Sequence, residues 1–459
     1  MKEVTEETCK SSAVCSDSDE ADVSFPMNLV KVKECGLKEC FDFVRSREYC
    51  AVDSRRVRNQ VNGATAFVDA SNVYGSQVFW AEHLREEGTP YLRVYGNGLL
   101  PDQNTTHGSA GDTRATEVPE LSAMHTIFLR EHNRLAMGIE ELSPDMDTEE
   151  VFQLAKEILI GQMQNIAYDQ YLELLLGEET MDDPSMELNL DNRVCYSKRT
   201  NPNVLNAFGV AAFRFGHSMV DGHVTKLDIE TNEEKSSYDI RNNHFSTTEY
   251  LENDGLGLEE ILNGQMRQKS LLFDTSLDTN LANNLFLNNK GFAGGDLFAK
   301  NVQRGRDHGI GGYNDYREEC GMPRICDWDT APAEIAADKW ELFKGIYDHP
   351  SDIDLFAAGL AEEPFEGSVV GPTFHCILAK QFMLLRKGDR FFFNRQCGKV
   401  PEEQVGFTTE QIAALRQRHL GDLMCDNTGI AKVSENVFRV DSPAKVCGDV
   451  SSLDLGLFL

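Results

Sequence analysis

Two long segments with helix-like spacing of apolar residues constrain the fold of this 459-residue chain more than any other feature. The first, "PELSAMHTIFLREHNRLAMGIEEL", opens with Pro119, which suits a first helical turn, and its apolar residues recur near helical spacing. The second, "DTEEVFQLAKEILIGQMQNIAYDQYLELLLG", starts with acidic residues and ends at Gly177. Strand signals are short and scattered. The sequence therefore predicts a mainly α fold with long loops and few short strands.

Shorter helices are expected in the rest of the chain, at 203–221, 280–300, 332–347, 370–386 and 409–424. A polar run over 229–254 is interpreted as a surface excursion. Residues 1–60 are polar and cysteine-rich and lack sustained periodicity, so they are expected to form disulfide-pinned loops. We interpret them as part of the same single domain as residues 61–459.

The twelve cysteines favour disulfide bonds and an oxidising compartment, because their number is even and they are clustered. Zinc is the alternative, but Cys320 and Cys326 have no matching second pair nearby. Asn104 begins an Asn-Thr-Thr glycosylation sequon, which agrees with an extracellular location. The start, "MKEVTEETCK", has no apolar core and is not a signal peptide, so secretion would require residues upstream of it.

The net charge excludes one broad class of partner. There are 44 Lys and Arg residues against 75 Asp and Glu residues, which gives −31, spread along the chain. A field of this sign repels nucleic acid and anionic lipid. The sequence has no run of about 18 apolar residues, so no membrane span is expected.

The stretch "AAFRFGHSM" contains His217, which could bind a metal or could be a hydrogen-bonded core residue. For a lone histidine among apolar residues the second interpretation is the more common. The motifs elsewhere in the chain favour the first. They are "RNQVNGATAFVDASNVYGS", "GDTRATEVPELSAMHTIFLREHNRLA", "NAFGVAAFRFGHSMV", "NVQRGRDHGIGGYNDYRE", "DIDLFAAGLAEEPFEGSVVGPTF", "QFMLLRKGDRFFF" and "LMCDNTGI".

In this order, over residues 9–450, these segments resemble the animal haem peroxidases. The resemblance implies that family's multi-helix fold, with haem b as cofactor. It implies an oxidoreductase that uses hydrogen peroxide to oxidise small electron donors such as phenols or halides. It also implies disulfides between Cys320 and Cys376 and between Cys425 and Cys447.

By the same resemblance, His217 corresponds to the axial ligand of the haem iron, and Asn301 to its hydrogen-bond partner. Such a partner fixes the tautomer of the imidazole and makes the ring a better electron donor. Arg214 and Arg304 correspond to the arginines that hold the haem propionates, since a guanidinium offers a fork for a carboxylate. For either arginine taken singly, an ordinary ion pair is the alternative.

On the opposite side of the haem, Arg114 matches an arginine whose charge can stabilise negative charge developing on peroxide oxygen. Glu117 matches the glutamate that some members join to haem by an ester. Three residues are close to one helical turn, so both side chains can face one pocket. Alternatively, Glu117 is only an acidic residue near a helix start.

The segment "TAFVDAS" resembles the calcium loop of the family, with Thr65, Asp69, Ser71 and the backbone carbonyl of Phe67 as ligands. On an extended stretch, alternate residues point the same way, so these oxygens could converge on a hard cation. Without the resemblance the segment would be interpreted as an ordinary strand. His125 and His132 are interpreted as structural.

Family members carry a further histidine upstream of the cysteine-rich stretch, in a segment that this sequence does not contain. That histidine acts as the general base toward peroxide, and such help contributes about 10² to 10⁴ in rate. We therefore expect the sequence to be truncated before that segment. The alternative function is a secreted haem-binding or adhesion module without efficient peroxidase activity.

Overall fold

The computed structural model describes residues 27–28, 40–41, 43–49, 58–101, 110–192, 194–287, 294–395 and 406–459. Helices dominate this part of the chain, as the sequence predicts, and three two-stranded antiparallel sheets accompany them. The helices are α1 (Ser71–Tyr74), α2 (Val78–Leu84), α3 (Pro119–Leu142), α4 (Thr148–Asn165), α5 (Leu172–Leu176), α6 (Glu178–Asp182), α7 (Asn206–Val210), α8 (Thr248–Gln265), α9 (Thr279–Ala282), α10 (Leu297–His308), α11 (Tyr313–Glu319), α12 (Ala337–Ile346), α13 (Leu355–Ala361), α14 (Pro372–Gly388), α15 (Thr409–Arg416) and α16 (Leu420–Asn427). The strands are β1 (Met27–Asn28), β2 (Cys40–Phe41), β3 (His223–Leu227), β4 (Glu234–Asp239), β5 (Lys432–Ser434) and β6 (Ala444–Val446).

Helix α3 organises the core and packs against α4, α8 and α16. Its predicted start at Pro119 is confirmed, and Ile127, Leu135 and Ile139 on its inner face are completely buried. Full burial of one such side chain contributes about 1.5 to 3 kcal/mol. Buried apolar side chains between Ala70 and Phe458 form one continuous cluster around this helix.

The second predicted helix is interrupted. An Asp147 capping box starts α4, but Ile166–Tyr171 form a wider π-helical turn before α5. In this turn the buried Tyr168 hydroxyl donates to the carbonyl of Phe382 at 2.8 Å. Buried polar groups that find partners outside the helix offset the irregular backbone, and apolar periodicity does not encode such partners.

The segment 229–254 lies largely at the surface, as interpreted from its polarity, but it is regular in structure because it contains β4 and the start of α8. Strand β3 pairs with β4, and α8 packs on β3 as well as on α3. A Cβ atom at Gly264 would lie 1.8 Å from the carbonyl oxygen of Thr225, so only glycine permits this approach. Two acidic residues of this segment, Glu249 and Glu252, form ion pairs with the completely buried ammonium group of Lys226.

Other helix bounds differ from those expected. The segment 203–221 forms α7 and a 3-10 helix over Ala212–Ser218, while 280–300 contains α9 and the beginning of α10. The segment 409–424 forms α15 and most of α16. Helices α11 and α13 were not predicted, because each has only seven residues and shows little periodicity.

Two predicted disulfides are confirmed. Cys320 bonds Cys376, with 6.0 Å between the Cα atoms, and joins the end of α11 to α14. Cys425 bonds Cys447, with 5.1 Å between the Cα atoms, and joins α16 to the turn after β6. Cys320 is therefore not available for zinc. The side chains of the five cysteines in residues 1–50 and the Asn104 sequon lie outside the described residues.

No helix in the described ranges has both the length and the apolar character needed to cross a bilayer.

Candidate active site

His217 sits on the 3-10 helix over Ala212–Ser218, which packs against α7, α13 and α14. Asn301 projects from α10, which packs against α7 and α13, so the same two helices support both residues. The side-chain nitrogen Nδ2 of Asn301 lies 2.8 Å from Nδ1 of His217. The structure therefore brings together two residues that are 84 positions apart.

The environment of His217 favours the neutral form of its ring. Burial, and secondarily the positive charge of Arg214, lowers its pKa to about 4. Only a neutral imidazole has a nitrogen lone pair to give to a metal. Its Nε2 atom has no hydrogen-bond partner in the described part of the chain. His217 thus has the charge state that an axial ligand needs.

Arg214 is hydrogen-bonded to Asn301, the partner of His217. It donates to Oδ1 of Asn301 at 2.6 Å and to the carbonyl oxygen of Gly209 at 3.1 Å. Burial, followed by repulsion from Arg304 and Arg114, lowers the pKa of Arg214 to about 10. Arg304 and Arg114 are therefore each near enough to repel Arg214, and an anion beside Arg214 would relieve that repulsion.

Arg304 forms the ion pair that the sequence left as an alternative. Its guanidinium donates to Oδ2 of Asp307 at 3.0 Å and to the carbonyl of Val44 at 2.9 Å. Burial alone would raise the pKa of Asp307, but hydrogen bonds and positive charges outweigh it and the net pKa is lowered. Asp307 also accepts hydrogen bonds from Arg45, from the backbone N–H of Ser46 and from Arg58.

Arg114 lies on a turn before α3 and is held by Asp112. Its Nε and Nη2 atoms lie 2.9 and 2.6 Å from the two carboxylate oxygens of Asp112. The backbone N–H of Glu117 donates to the carbonyl of Arg114 at 2.9 Å, so Arg114 and Glu117 lie on one turn, as their spacing predicts. Burial raises the pKa of Glu117, and the charge of Arg114 opposes that shift.

The candidate calcium loop brings three of its four proposed ligand residues together. The hydroxyl of Thr65 lies 2.8 Å from Oδ1 of Asp69 and 2.9 Å from the hydroxyl of Ser71. The expectation of an extended stretch is wrong, because the chain bends from Ala66 to Ala70. Ala70 has φ 56°, in the left-handed region. Loop curvature, rather than strand alternation, makes the oxygens converge.

This loop is directly linked to Arg114, which the sequence did not reveal. The loop leads into α1, and there the carbonyls of Val73 and Asn72 accept hydrogen bonds from Gly111 at 3.2 Å and Asp112 at 3.1 Å. A Cβ atom at Gly111 would lie 2.1 Å from the carbonyl oxygen of Ser71, so the contact requires glycine. The acidic residue two positions before Arg114, in "GDTR", was the available signal for this link.

The two histidines of α3 have the structural roles expected. His132 is completely buried and contacts the hydroxyl of Tyr74 at 2.8 Å and the carbonyl of Pro90 at 3.0 Å. Nδ1 of His125 lies 2.7 Å from the carbonyl of Leu121. No group of three His, Cys, Asp or Glu side chains that could hold a metal occurs among the described residues.

These residues fit a haem group. A neutral imidazole with one nitrogen free suits iron, and the arginines around it suit the two carboxylates of the porphyrin. The hydroxyl and carboxylate oxygens of the 65–71 loop suit a hard cation such as calcium.

Comparisons with known proteins agree with this chemistry. A sequence model of the animal haem peroxidase family matches residues 1–438. Human eosinophil peroxidase is 34% identical over 91% of this chain and 60% of its own length. Drosophila melanogaster peroxidasin is 31% identical over 95% of this chain and 30% of its own length. The chain thus spans less than two thirds of these curated relatives.

Among solved structures, peroxidase A from Dictyostelium discoideum superposes with a TM-score of 0.75 and 27% sequence identity. The match covers 90% of this chain and 82% of the Dictyostelium chain. The family match over nearly the whole sequence, together with the shared fold, shows that this chain belongs to the animal haem peroxidase family.

Proposed function

We propose that this protein is a haem-dependent peroxidase that uses hydrogen peroxide to oxidise small electron donors such as phenols or halides. The contact between His217 and Asn301 carries the proposal, because it joins a neutral imidazole to a side chain that can fix its orientation. Family membership and the arginines beside this pair support it. The two disulfides agree with an oxidising, extracellular setting.

Bound haem would supply an iron centre that accepts electrons from the donor and delivers them to peroxide. His217 would hold it through Nε2, and Asn301 would fix the plane of the ring through Nδ1. Arg214 and Arg304 would bind the porphyrin carboxylates by charge-assisted hydrogen bonds. Arg304 would do so while it remains bound to Asp307.

Arg114 would provide positive charge beside the bound peroxide. Asp112 orients its guanidinium through two hydrogen bonds. The backbone of Asp112 is in turn hydrogen-bonded to α1, which directly follows the 65–71 loop. A cation bound by Thr65, Asp69, Ser71 and the carbonyl of Phe67 would stiffen that loop and, through it, the position of Arg114. Glu117, one turn further on, is the candidate for an ester to the haem.

Haem reconstitution of wild type and His217→Ala tests the proposal. We expect a ferric Soret band in the wild type that is lost or strongly shifted in the variant, with His223→Ala, an exposed histidine on β3, as matched control. Circular dichroism of the apoproteins shows whether the variant folds. Added imidazole should partly restore the spectrum if only the ligand is missing.

Turnover of a phenol and of bromide with hydrogen peroxide completes the test. Haem uptake through His217 without turnover would contradict the peroxidase proposal and favour the haem-binding module. No uptake by folded wild type would contradict both functions. Mass spectrometry of haem released by denaturation, for wild type and Glu117→Gln, decides whether the ester exists.

A further inference from the structure

We propose that Tyr238 is a redox-active residue that gives one electron to the oxidised haem site while its hydroxyl proton passes to Glu120. This inference rests on the proposed haem function and deepens it. It adds a second oxidised position, inside the protein, to a reaction that is otherwise confined to the haem and its donors.

Glu120 and Tyr238 are buried ionisable residues that the proposed mechanism does not use. Glu120 lies in the first turn of α3, and Tyr238 lies on β4 and is only 6% exposed. Both carboxylate oxygens of Glu120 and the hydroxyl oxygen of Tyr238 are shielded from solvent. Among the described residues, none of these three atoms has a hydrogen-bond partner of normal geometry. Orphaned polar groups of this kind are rare in native proteins, so they require an explanation.

The two groups lie against each other. Burial raises the pKa of Glu120 to about 7, and its own backbone N–H and the Tyr238 hydroxyl oppose that shift. Burial, followed by the charge of Glu120, holds the pKa of Tyr238 well above its ordinary value. The other acidic group that acts on Tyr238 is Glu249 on α8, which is already paired with the buried Lys226. Above pH 7, Glu120 is therefore ionised and is the base available to Tyr238.

The pair lies at the end of α3 where the candidate haem site is. Glu120 follows Glu117 by three residues, which is close to one helical turn. The chain after Tyr238 returns to the same place, because the N–H of Phe245 donates to the carbonyl of Glu117 at 3.0 Å. Tyr238 is thus near the residue proposed to contact the haem, while its burial keeps solvent away from the ring.

The chemistry of a phenol explains why the carboxylate matters. A phenol loses an electron readily only when its proton leaves as well, because the protonated radical is a very strong acid. In the proposed step the O–H bond of Tyr238 breaks, the proton forms an O–H bond with the carboxylate of Glu120, and the electron passes to the haem site. Hydrogen peroxide is the oxidant, since it has removed two electrons from that site and Tyr238 returns one of them.

Burial favours this step. Before it, the pair contains an ionised carboxylate in an apolar environment, which is costly. After it, both members of the pair are uncharged, as a tyrosyl radical and a carboxylic acid. The same burial that orphans Glu120 therefore makes it a willing proton acceptor.

The other end of α3 carries a second pair of the same residue types, which serves as a control. There the hydroxyl of Tyr91 donates to the carboxylate of Glu140. Glu140 lies about 30 Å along α3 from Glu120. Because electron transfer weakens steeply with distance, only the pair near the candidate haem site should be oxidised.

Electron paramagnetic resonance tests the inference on haem-loaded protein, frozen after one equivalent of hydrogen peroxide at about pH 8, above the pKa of Glu120. We expect a tyrosyl signal in wild type, identified by the change in its shape when the tyrosine rings are deuterated. The signal should be lost in Tyr238→Phe. It should fall at least about tenfold in Glu120→Gln, since a positioned base contributes that much or more in rate. Tyr91→Phe and Glu140→Gln, the matched controls, should keep the signal of wild type.

The inference is overturned if wild type that has reacted with peroxide shows no tyrosyl signal, or if Tyr238→Phe keeps it. It is also overturned if the Tyr91→Phe control loses as much signal. Circular dichroism and the Soret band show whether each variant folds and binds haem.

A second measurement does without haem. Ultraviolet photolysis of the frozen apoprotein ionises tyrosines directly, and the difference between wild type and Tyr238→Phe gives the radical yield at Tyr238. Glu120→Gln should abolish that share of the yield, and an equal yield in wild type and Glu120→Gln would contradict the role of Glu120. If the proposed peroxidase function fails, peroxide leaves the Soret band unchanged while photolysis still tests the pair, so the two failures are distinguishable.

Discussion

The two sides of the candidate haem site are built differently. Around His217, the contacting residues come from helices, Asn301 and the carboxylate of Asp307 are buried, and several partners satisfy each polar group. Around Arg114, a mostly exposed side chain is held by Asp112 on a turn. The His217 side is therefore fixed by the core, whereas the position of Arg114 depends on a turn that hydrogen bonds link to α1 and the 65–71 loop. An aspartate bound to arginine therefore contributes more to stability where it is buried, as Asp307 is, than beside an exposed guanidinium, as Asp112 is.

Replacing Asp307 should have the largest effect on stability. Asp307→Ala leaves Arg45, Arg58 and Arg304 without their shared buried carboxylate, and breaking such a network costs about 3 to 5 kcal/mol. Because the arginines are partly exposed, we expect a loss of about 3 kcal/mol, the lower end of this range. Urea unfolding of the apoprotein measures it. A loss no larger than that of Asp112→Ala would contradict the contrast between the two sides.

Acid should weaken the scaffold beneath α1. Burial lowers the pKa of His132 to about 4, below its ordinary value of 6.5. Between pH 4 and 6.5 the unfolded chain binds more protons at His132 than the folded chain does. The contribution of neutral, buried His132 to the free energy of unfolding is therefore complete above pH 6.5 and is lost as the pH falls toward 4. The loss is about 3 kcal/mol at pH 4. His132→Gln should flatten the stability curve across this window, and an unchanged curve would contradict the assignment.

Calcium should stabilise the protein through the 65–71 loop. At a concentration about 100 times its dissociation constant, a ligand that binds only the folded state adds about 2.7 kcal/mol. We expect calcium to raise the unfolding midpoint of wild type and to have little effect on Asp69→Asn. Asp422 lies on α16 and pairs with Lys445, so Asp422→Asn is a charge-matched control that should keep the calcium response. Equal responses of wild type and Asp69→Asn would rule out this loop as the site.

Loss of Asp112 should have the smallest effect on stability. In its ion pair the Arg114 side chain is 71% exposed, although Asp112 is only 19% exposed, and pairs open to solvent in this way contribute about 1 kcal/mol or less. Asp112→Asn should nevertheless reduce peroxide turnover, because Arg114 loses its orientation. Stopped-flow kinetics with peroxide measures this effect, with Asp441→Asn, which loses an exposed Arg439 pair, as control. A large loss of stability with normal turnover would reverse the interpretation.

The sequence predicted the helices whose apolar residues repeat over several turns, such as α3, and its motifs singled out His217 and Asn301, which the structure brings into contact. It did not predict α8, since the partner of its acidic residues is the buried Lys226, and burial of a charge leaves no trace in periodicity. It did not predict the curvature of the 65–71 loop, because Ala70 adopts a positive φ that alanine rarely takes. The contact between Arg214 and Asn301 depends on the packing of α10 against α7, which no local pattern encodes.

The separation of His217 and Asn301 along the chain also bears on the order of events during synthesis. The two residues meet only after a loop of 84 residues has closed, and the entropy of that closure must be offset by the packing of α7, α10 and α13. The paired residues are therefore absent from any nascent chain that ends before α10. Haem that needs both of them can be taken up only after this part of the chain has folded, so its uptake would serve as a signal of successful folding.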